Sequence, residues 1–183
     1  ALANMLSERG EITKAVRGYR RAIKIKPDFA LAYNNLGRVR LAQRKTAEAM
    51  KIFRQALRVD PDLALAHNNL GAALLMQGEG EKAIGHFRSA LEAWPDFADV
   101  HHNLGKALSL QDRGEEAIPH YRRAVSIKPD SFLAHLSLGN ALARQGFLVE
   151  AVACYERVLQ LQPGNAKALE NRKLVDSYLE KSR

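Results

Sequence analysis

The sequence predicts an all-α, right-handed α-solenoid of helix–turn–helix units, and three observations predict it. Glycine recurs at Gly37, Gly71, Gly105 and Gly139, a step of 34 residues each time. Proline recurs on the same step at Pro61, Pro95, Pro129 and Pro163. Between them Ala49, Ala83, Ala117 and Ala151 keep phase, followed four residues on by Phe53, Phe87, Tyr121 and Tyr155. A fixed period of about 20–50 residues marks a stacked repeat protein in which each unit buries its apolar face against its neighbours. Such proteins work through their surfaces.

The units follow in order. Leu2, Ala3, Ala15, Tyr19, Ala22 and Pro27 fit the register over residues 1–29, a first unit lacking its start. Complete units run over 30–63, 64–97, 98–131 and 132–165. Leu36, Leu70, Leu104 and Leu138 precede the glycines, and Ala56, Ala90, Ala124 and Val158 close the small-residue column, the valine breaking its rule. Small residues at the glycine and alanine columns let two helices approach closely, and the aromatic fills the space beside them. Val39, Leu57 and Val59 complete a stripe of helical period. Proline ends each second helix, because it lacks an N–H and pushes the preceding residue out of helix. Asp28, Asp62, Asp96 and Asp130 follow the prolines and are expected to cap the next helix. Gly10, Gly78 and Gly146 mark the turn inside a unit, where positive φ costs glycine little. Arg44 and Asp112 hold that turn elsewhere, which predicts a strained or reshaped turn. Residues 166–183 read as a helix with Leu169, Val175, Tyr178 and Leu179 among charges, a terminal cap with a polar outer face. No such cap precedes Ala1, so the chain reads as a piece of a longer protein.

These residues resemble the tetratricopeptide repeat family, whose pattern is Leu-Gly, then Ala, an aromatic, Ala and Pro at these offsets. The resemblance covers residues 1 to about 165. One column departs from it: where the family often carries Trp, this chain has Tyr33, His67, His101 and His135. These rings are expected between the two helices of a unit, partly buried and hydrogen-bonded.

The resemblance implies a concave groove lined by the first helices. Asn35, Asn69 and Asn103 stand two residues before the glycines on that lining, with Asn34, Asn68, His102, Arg38, Lys106 and Asn140 beside them. An amide offers donors and an acceptor to the repeating groups of an extended peptide. The column is similar to the asparagine ladder of the O-linked N-acetylglucosamine transferase family, whose amides grip peptide backbone. The alternative is internal hydrogen bonding, the usual fate of a buried amide. Leu31, Leu41, Leu65, Leu75, Met76, Leu110, Leu133 and Leu136 offer apolar lining. The carboxylate clamp of chaperone-binding relatives is missing: Asp99 and Asn103 stand where its cations belong.

The chain of 183 residues carries a formal net charge of +8. Residues 1–60 hold 14 Lys and Arg against 5 Asp and Glu, whereas the rest hold 14 against 15. Arg17, Arg20, Arg21 and Lys24 lie on one second helix, and Lys51, Arg54 and Arg58 on the next. They read either as a solvated face or as a docking face for an acidic partner. Few aromatics interleave with them, which disfavours nucleic acid.

Catalysis finds no footing in the sequence. His67, His101 and His135 share a column whose members lie about 10 Å apart, too far for a common metal ion. Cys154 and His120 are separated in the same way, so a Cys–His dyad is not expected. No phosphate-binding glycine loop is present. No catalytic, metal or cofactor residue is assigned. No apolar run reaches the ~18 residues of a membrane span. Cys154 is the only cysteine, so there is no internal disulfide, and cysteine usage does not decide the compartment. The reading leans to the cytoplasm and leaves the periplasm open.

The expected function is a protein-interaction scaffold holding an extended peptide or partner segment. Two other readings stand beside it: the substrate-recruiting arm of a larger enzyme such as a glycosyltransferase, and an oligomeric or assembly scaffold docking through its open first repeat.

Overall fold

In the computed structural model, which describes residues 11–181, the described chain is helical throughout. Ten helices follow one another among the described residues: α1 (Ile12–Ile25), α2 (Ala30–Ala42), α3 (Thr46–Val59), α4 (Ala64–Met76), α5 (Gly80–Ala93), α6 (Ala98–Leu110), α7 (Gly114–Ile127), α8 (Phe132–Arg144), α9 (Leu148–Leu161) and α10 (Ala166–Lys181). Leu2, Ala3 and Gly10 lie outside the described residues. No described helix is long and apolar enough to cross a membrane.

Two compact units divide the chain after Pro95. In the first, α2 packs on α3 and α4 on α5 as antiparallel hairpins, while α1 closes onto α2, and α2 also meets α4. In the second, the hairpins are α6/α7 and α8/α9, and α10 packs on α9 and α8. Each unit is a stack of helix pairs of the solenoid class.

The repeat columns meet where the sequence places them. A Cβ on Gly37 would lie 2.5 Å from Phe53, on Gly71 2.7 Å from Phe87, on Gly105 2.8 Å from Tyr121, and on Gly139 2.8 Å from Tyr155. Each glycine is therefore the floor on which its hairpin's aromatic ring rests. Phe53, Phe87, Ala49, Ala83, Ala117 and Ala151 are fully buried beside them. Val158 is fully buried too.

The second helices end two residues before proline. Lys26, Asp60, Trp94, Lys128 and Gln162 take extended-like φ of −130°, −136°, −140°, −130° and −141°, as crowding by the next residue's ring demands. Inside the hairpins Gly78 and Gly146 sit at φ 78° and 82°, and Arg44 and Asp112 at φ 60° and 58°. The turn is thus kept rather than reshaped. Lys45, Glu79, Arg113 and Phe147 each donate back five residues, to Arg40, Leu74, Leu108 and Leu142, at 2.9–3.0 Å. Arg44 and Asp112 carry the left-handed strain that glycine avoids.

Two expectations are corrected. The aspartates after the prolines do not cap. The cap position falls one residue later, on Phe29, Leu63 and Phe97, which offer no side-chain acceptor. Their backbone carbonyls take the N–H three residues on, from Ala32, Ala66 and Val100. Side chains serve at α8, where Ser131 Oγ accepts from Ala134 N, and at α10, where Asn165 Oδ1 accepts from Ala168 N at 3.1 Å. The outer face of α10 is not wholly polar either. It buries Ala168 and Val175 but leaves Leu169, Leu174 and Tyr178 exposed, because its apolar residues do not fall on one stripe.

Candidate functional site

The first helices of the hairpins present the candidate binding residues. In the first unit, glycine at position 37 or 71 lies on the inner face of α2 or α4, so residues roughly opposite point outward. Leu31, Leu65 and Met76 are exposed, Met76 to 65%. Arg38 is exposed beside them, and Asn35, Asn68 and Ala72 are half-buried. A broken apolar ridge results, with Leu31 and Leu65 near the starts of α2 and α4, Met76 at the end of α4, and amides and one guanidinium between them.

The amides themselves are partly spent inside the fold. Asn69 Nδ2 donates to Asn34 Oδ1 at 2.8 Å, bridging α4 to α2. Asn34 Nδ2 donates to Asn35 Oδ1 at 3.3 Å. Asn34 is only 1% exposed, so it does not line the surface as expected: its position turns it toward the neighbouring first helix. In the second unit, His102 Nε2 lies 3.0 Å from Ser137 Oγ, joining α6 to α8. Asn140 Oδ1 accepts from Tyr155 Oη at 3.0 Å and from Asn171 Nδ2 at 2.8 Å. Lys106 stays exposed and Asn103 half-buried on α6. The Asn34–Asn69 and His102–Ser137 links run 35 residues apart, one more than the period, so each joins two different columns.

A similar offset hides the histidine pairs. His67 on α4 and His86 on α5 bring their Nδ1 atoms to 3.0 Å. His101 on α6 and His120 on α7 do so at 3.2 Å. Each pair lies 19 residues apart, across its own hairpin. His67 Nε2 lies 2.8 Å from the Pro61 carbonyl, and His135 Nε2 3.1 Å from that of Pro129. A carbonyl only accepts, so when both rings are neutral His67 carries its proton on Nε2 and its Nδ1 accepts from His86. His67, His101 and His135 are half-buried and bonded as expected, and His67 and His101 each join a second histidine across the hairpin. Burial first, then His67 and Arg54, hold the His86 imidazole below its usual pKa. Burial and Lys106 lower His102, against a smaller opposing pull from Asp99.

Nucleophilic chemistry finds little support. Burial pushes the Cys154 thiol up to about 11, so it stays protonated and a poor nucleophile near neutral pH. Among the described residues, no three His, Cys, Asp or Glu side chains are grouped to hold a metal ion. An open cleft of about 540 Å³ lies beside His67, lined by Pro61, Asp62, Ser89, Glu92 and Ala93. A smaller one of about 130 Å³ opens by His102, among Asp99, Lys128, Ser131 and Leu133.

Family models agree with this architecture. Tetratricopeptide repeat models match residues 35–98 and 132–165, and a TPR repeat model matches 3–43 and 111–146. The chain belongs to the tetratricopeptide repeat family. No curated protein sequence matches it, but solved tetratricopeptide structures do. YrrB, a TPR protein with an unusual peptide-binding site, is similar at 26% identity and a TM-score of 0.79, over 88% of this chain and 84% of that one. MamA is similar at 25% identity and a TM-score of 0.76, over 91% and 98%. Pseudomonas aeruginosa pilF superposes with a TM-score of 0.89 at 23% identity, over 98% and 82%, a likeness of fold. Repeats of this family serve as protein-interaction scaffolds, and the partners to expect are proteins or peptides.

The basic residues fall on the second helices of this tetratricopeptide stack. Arg17, Arg20, Arg21 and Lys24 on α1, and Lys51, Arg54 and Arg58 on α3, are all exposed. They lie on different helices from the apolar ridge of α2 and α4, so the two sets are separate candidate surfaces.

Proposed function

We propose that the first unit binds an extended peptide along the outer face of α2 and α4. The observation that carries this reading is the exposed apolar ridge of Leu31, Leu65 and Met76 on helices already held in register by the Asn69–Asn34 bond. A rigid platform loses little entropy on binding, and alternating apolar side chains of an extended segment would seat on the ridge while Arg38, Asn35 and Asn68 meet its polar groups. Each such hydrogen bond contributes about 0.5–1.5 kcal/mol net, so affinity rests on the ridge and the amides tune it. The second unit offers a related surface, with Leu110 and Leu133 exposed and His102, Asn103, Lys106 and Asn140 beside them. The peptide-binding site of YrrB, a structural relative at 26% identity, supports a peptide as ligand. Recruitment for a larger enzyme would use the same surface.

Selection of a random-peptide library on the immobilised protein tests this. Enriched peptides are expected to lose at least about tenfold in affinity on Leu65→Asp or Met76→Asp, with helicity unchanged. Enrichment that survives both substitutions refutes the assignment.

A further inference from the structure

The second-helix face of the first unit carries a feature the peptide platform does not use. Arg20, Arg54, Arg88 and Arg122 occupy one repeat position, 34 residues apart. In the second unit Arg122 is neutralised: its Nη2 bonds Glu150 Oε2 at 2.6 Å, 28 residues on. In the first unit that neutralisation fails. The residue 28 on from Arg54 is Lys82, itself held by Glu79 at 2.5 Å. The residue 28 on from Arg20 is Glu48, which is drawn away by the buried Arg40, whose Nε lies 2.9 Å from it. Among the described residues, none of Arg17, Arg20, Arg21, Arg54 or Arg88 has an ion-pair partner. Arg88 escapes the charge count of the first 60 residues because it lies beyond them.

The rows are ordered. On α1 the cations recur at i, i+3, i+4 and i+7, and on α3 at i, i+3 and i+7, each set on one helical face. Both helices pack on α2, so the rows belong to one stack. A concentration of like charge left unpaired by its own fold attracts an anionic partner over several ångströms and speeds its capture.

We infer that this face docks an acidic protein segment, rich in Asp and Glu and placed against the basic rows of α1 and α3 and the single Arg88 of α5. Two other polyanions fit less well. The aromatic residues on these helices, Tyr19, Phe53 and Phe87, are all buried, so no platform exists for stacking bases. Within α3 and α5 no large apolar side chain is exposed, and Ile25 at the end of α1 and Trp94 just after α5 stand singly, short of the continuous apolar face that anchors a helix in a lipid surface. The acidic segment would meet guanidinium groups able to grip carboxylates bidentately.

Fluorescence anisotropy with a labelled deca-glutamate peptide tests the inference, at about 20 mM and 200 mM salt. The wild-type protein is expected to bind at low salt and to weaken steeply at high salt. Arg20→Glu/Arg54→Glu/Arg88→Glu should weaken binding at least about tenfold, whereas Leu65→Asp on the other face should leave it unchanged. If the charge-reversed protein loses helicity, Arg20→Gln/Arg54→Gln/Arg88→Gln replaces it, with a smaller loss expected. Three results overturn the inference: no binding of deca-glutamate at low salt, affinity unchanged by the arginine substitutions, or single-stranded RNA or phosphatidylserine vesicles binding where the acidic peptide does not. Because the two faces respond to different substitutions, failure here leaves the peptide platform of α2 and α4 standing.

Discussion

The glycine–aromatic contact makes a prediction whose sign depends on position alone. A Cβ added at Gly71 would stand 2.7, 3.0 and 3.1 Å from Phe87 Cε1, Cδ1 and Cζ. Phe87 is fully buried, so the ring cannot swing into solvent, and α4 and α5 must part. Overpacking of this kind costs about 1–3 kcal/mol. Gly85, close to the same ring along α5, meets nothing within 4 Å, and alanine there gains about 0.5–1 kcal/mol of helix propensity. For a chain of this size, 1 kcal/mol moves Tm by about 2–4 °C. Gly71→Ala should therefore lower Tm by about 2–12 °C, and Gly85→Ala should raise it by about 1–4 °C, both read by circular dichroism. On a Phe87→Leu background the Gly71→Ala penalty should shrink by about half or more, the sign of direct coupling. Shifts of the same sign for the two alanines, or a penalty unchanged without the ring, would refute the packing argument.

Other predictions follow from particular contacts. Arg44→Gly should stabilise the protein by about 0.5–1 kcal/mol, since the φ of 60° there strains any residue with a Cβ, and Gly78→Ala should cost a similar amount; equal melting curves contradict both. Asn34→Ala should cost about 1–3 kcal/mol in urea unfolding, by stripping a buried amide bond from Asn69; an unchanged midpoint would show that the bond contributes nothing. Stability should fall as the medium turns acid. His86 is held below its usual pKa by burial, His67 and Arg54, so the unfolded chain binds more protons as pH drops through the ordinary histidine range. Stability from this group is full above that range and declines toward the lower folded pKa. His86→Gln should flatten the slope of Tm against pH below neutrality, and an identical slope would rule the pair out as its source.

Much of the fold is legible in the sequence because a 34-residue period is a global signal, and each column repeats its own physics. Proline at 61 or 95 closes its unit's second helix, although Pro119 is carried inside α7, and glycine at 37 or 71 must face a ring. The polar links are not legible in the same way. Asn34–Asn69 and His67–His86 pair different columns at separations of 35 and 19, which depend on how far a side chain leans along its helix. Comparing a column only with itself cannot find them. Asp28 and Asp62 mislead because capping turns on a single residue of placement, and the helix begins at Ala30 and Ala64, one residue too late for an aspartate cap. The candidate surface is half legible: Leu31, Leu65 and Met76 are exposed as the groove pattern implies, whereas Asn34 is drawn inside.

Chemical-shift mapping of a library-selected peptide onto the isotope-labelled protein tests the central claim most directly. Perturbed signals are expected to cluster on Leu31, Asn35, Arg38, Leu65, Asn68 and Met76 of α2 and α4. Perturbations confined to α1 and α3, or spread with no focus on α2 and α4, would contradict it.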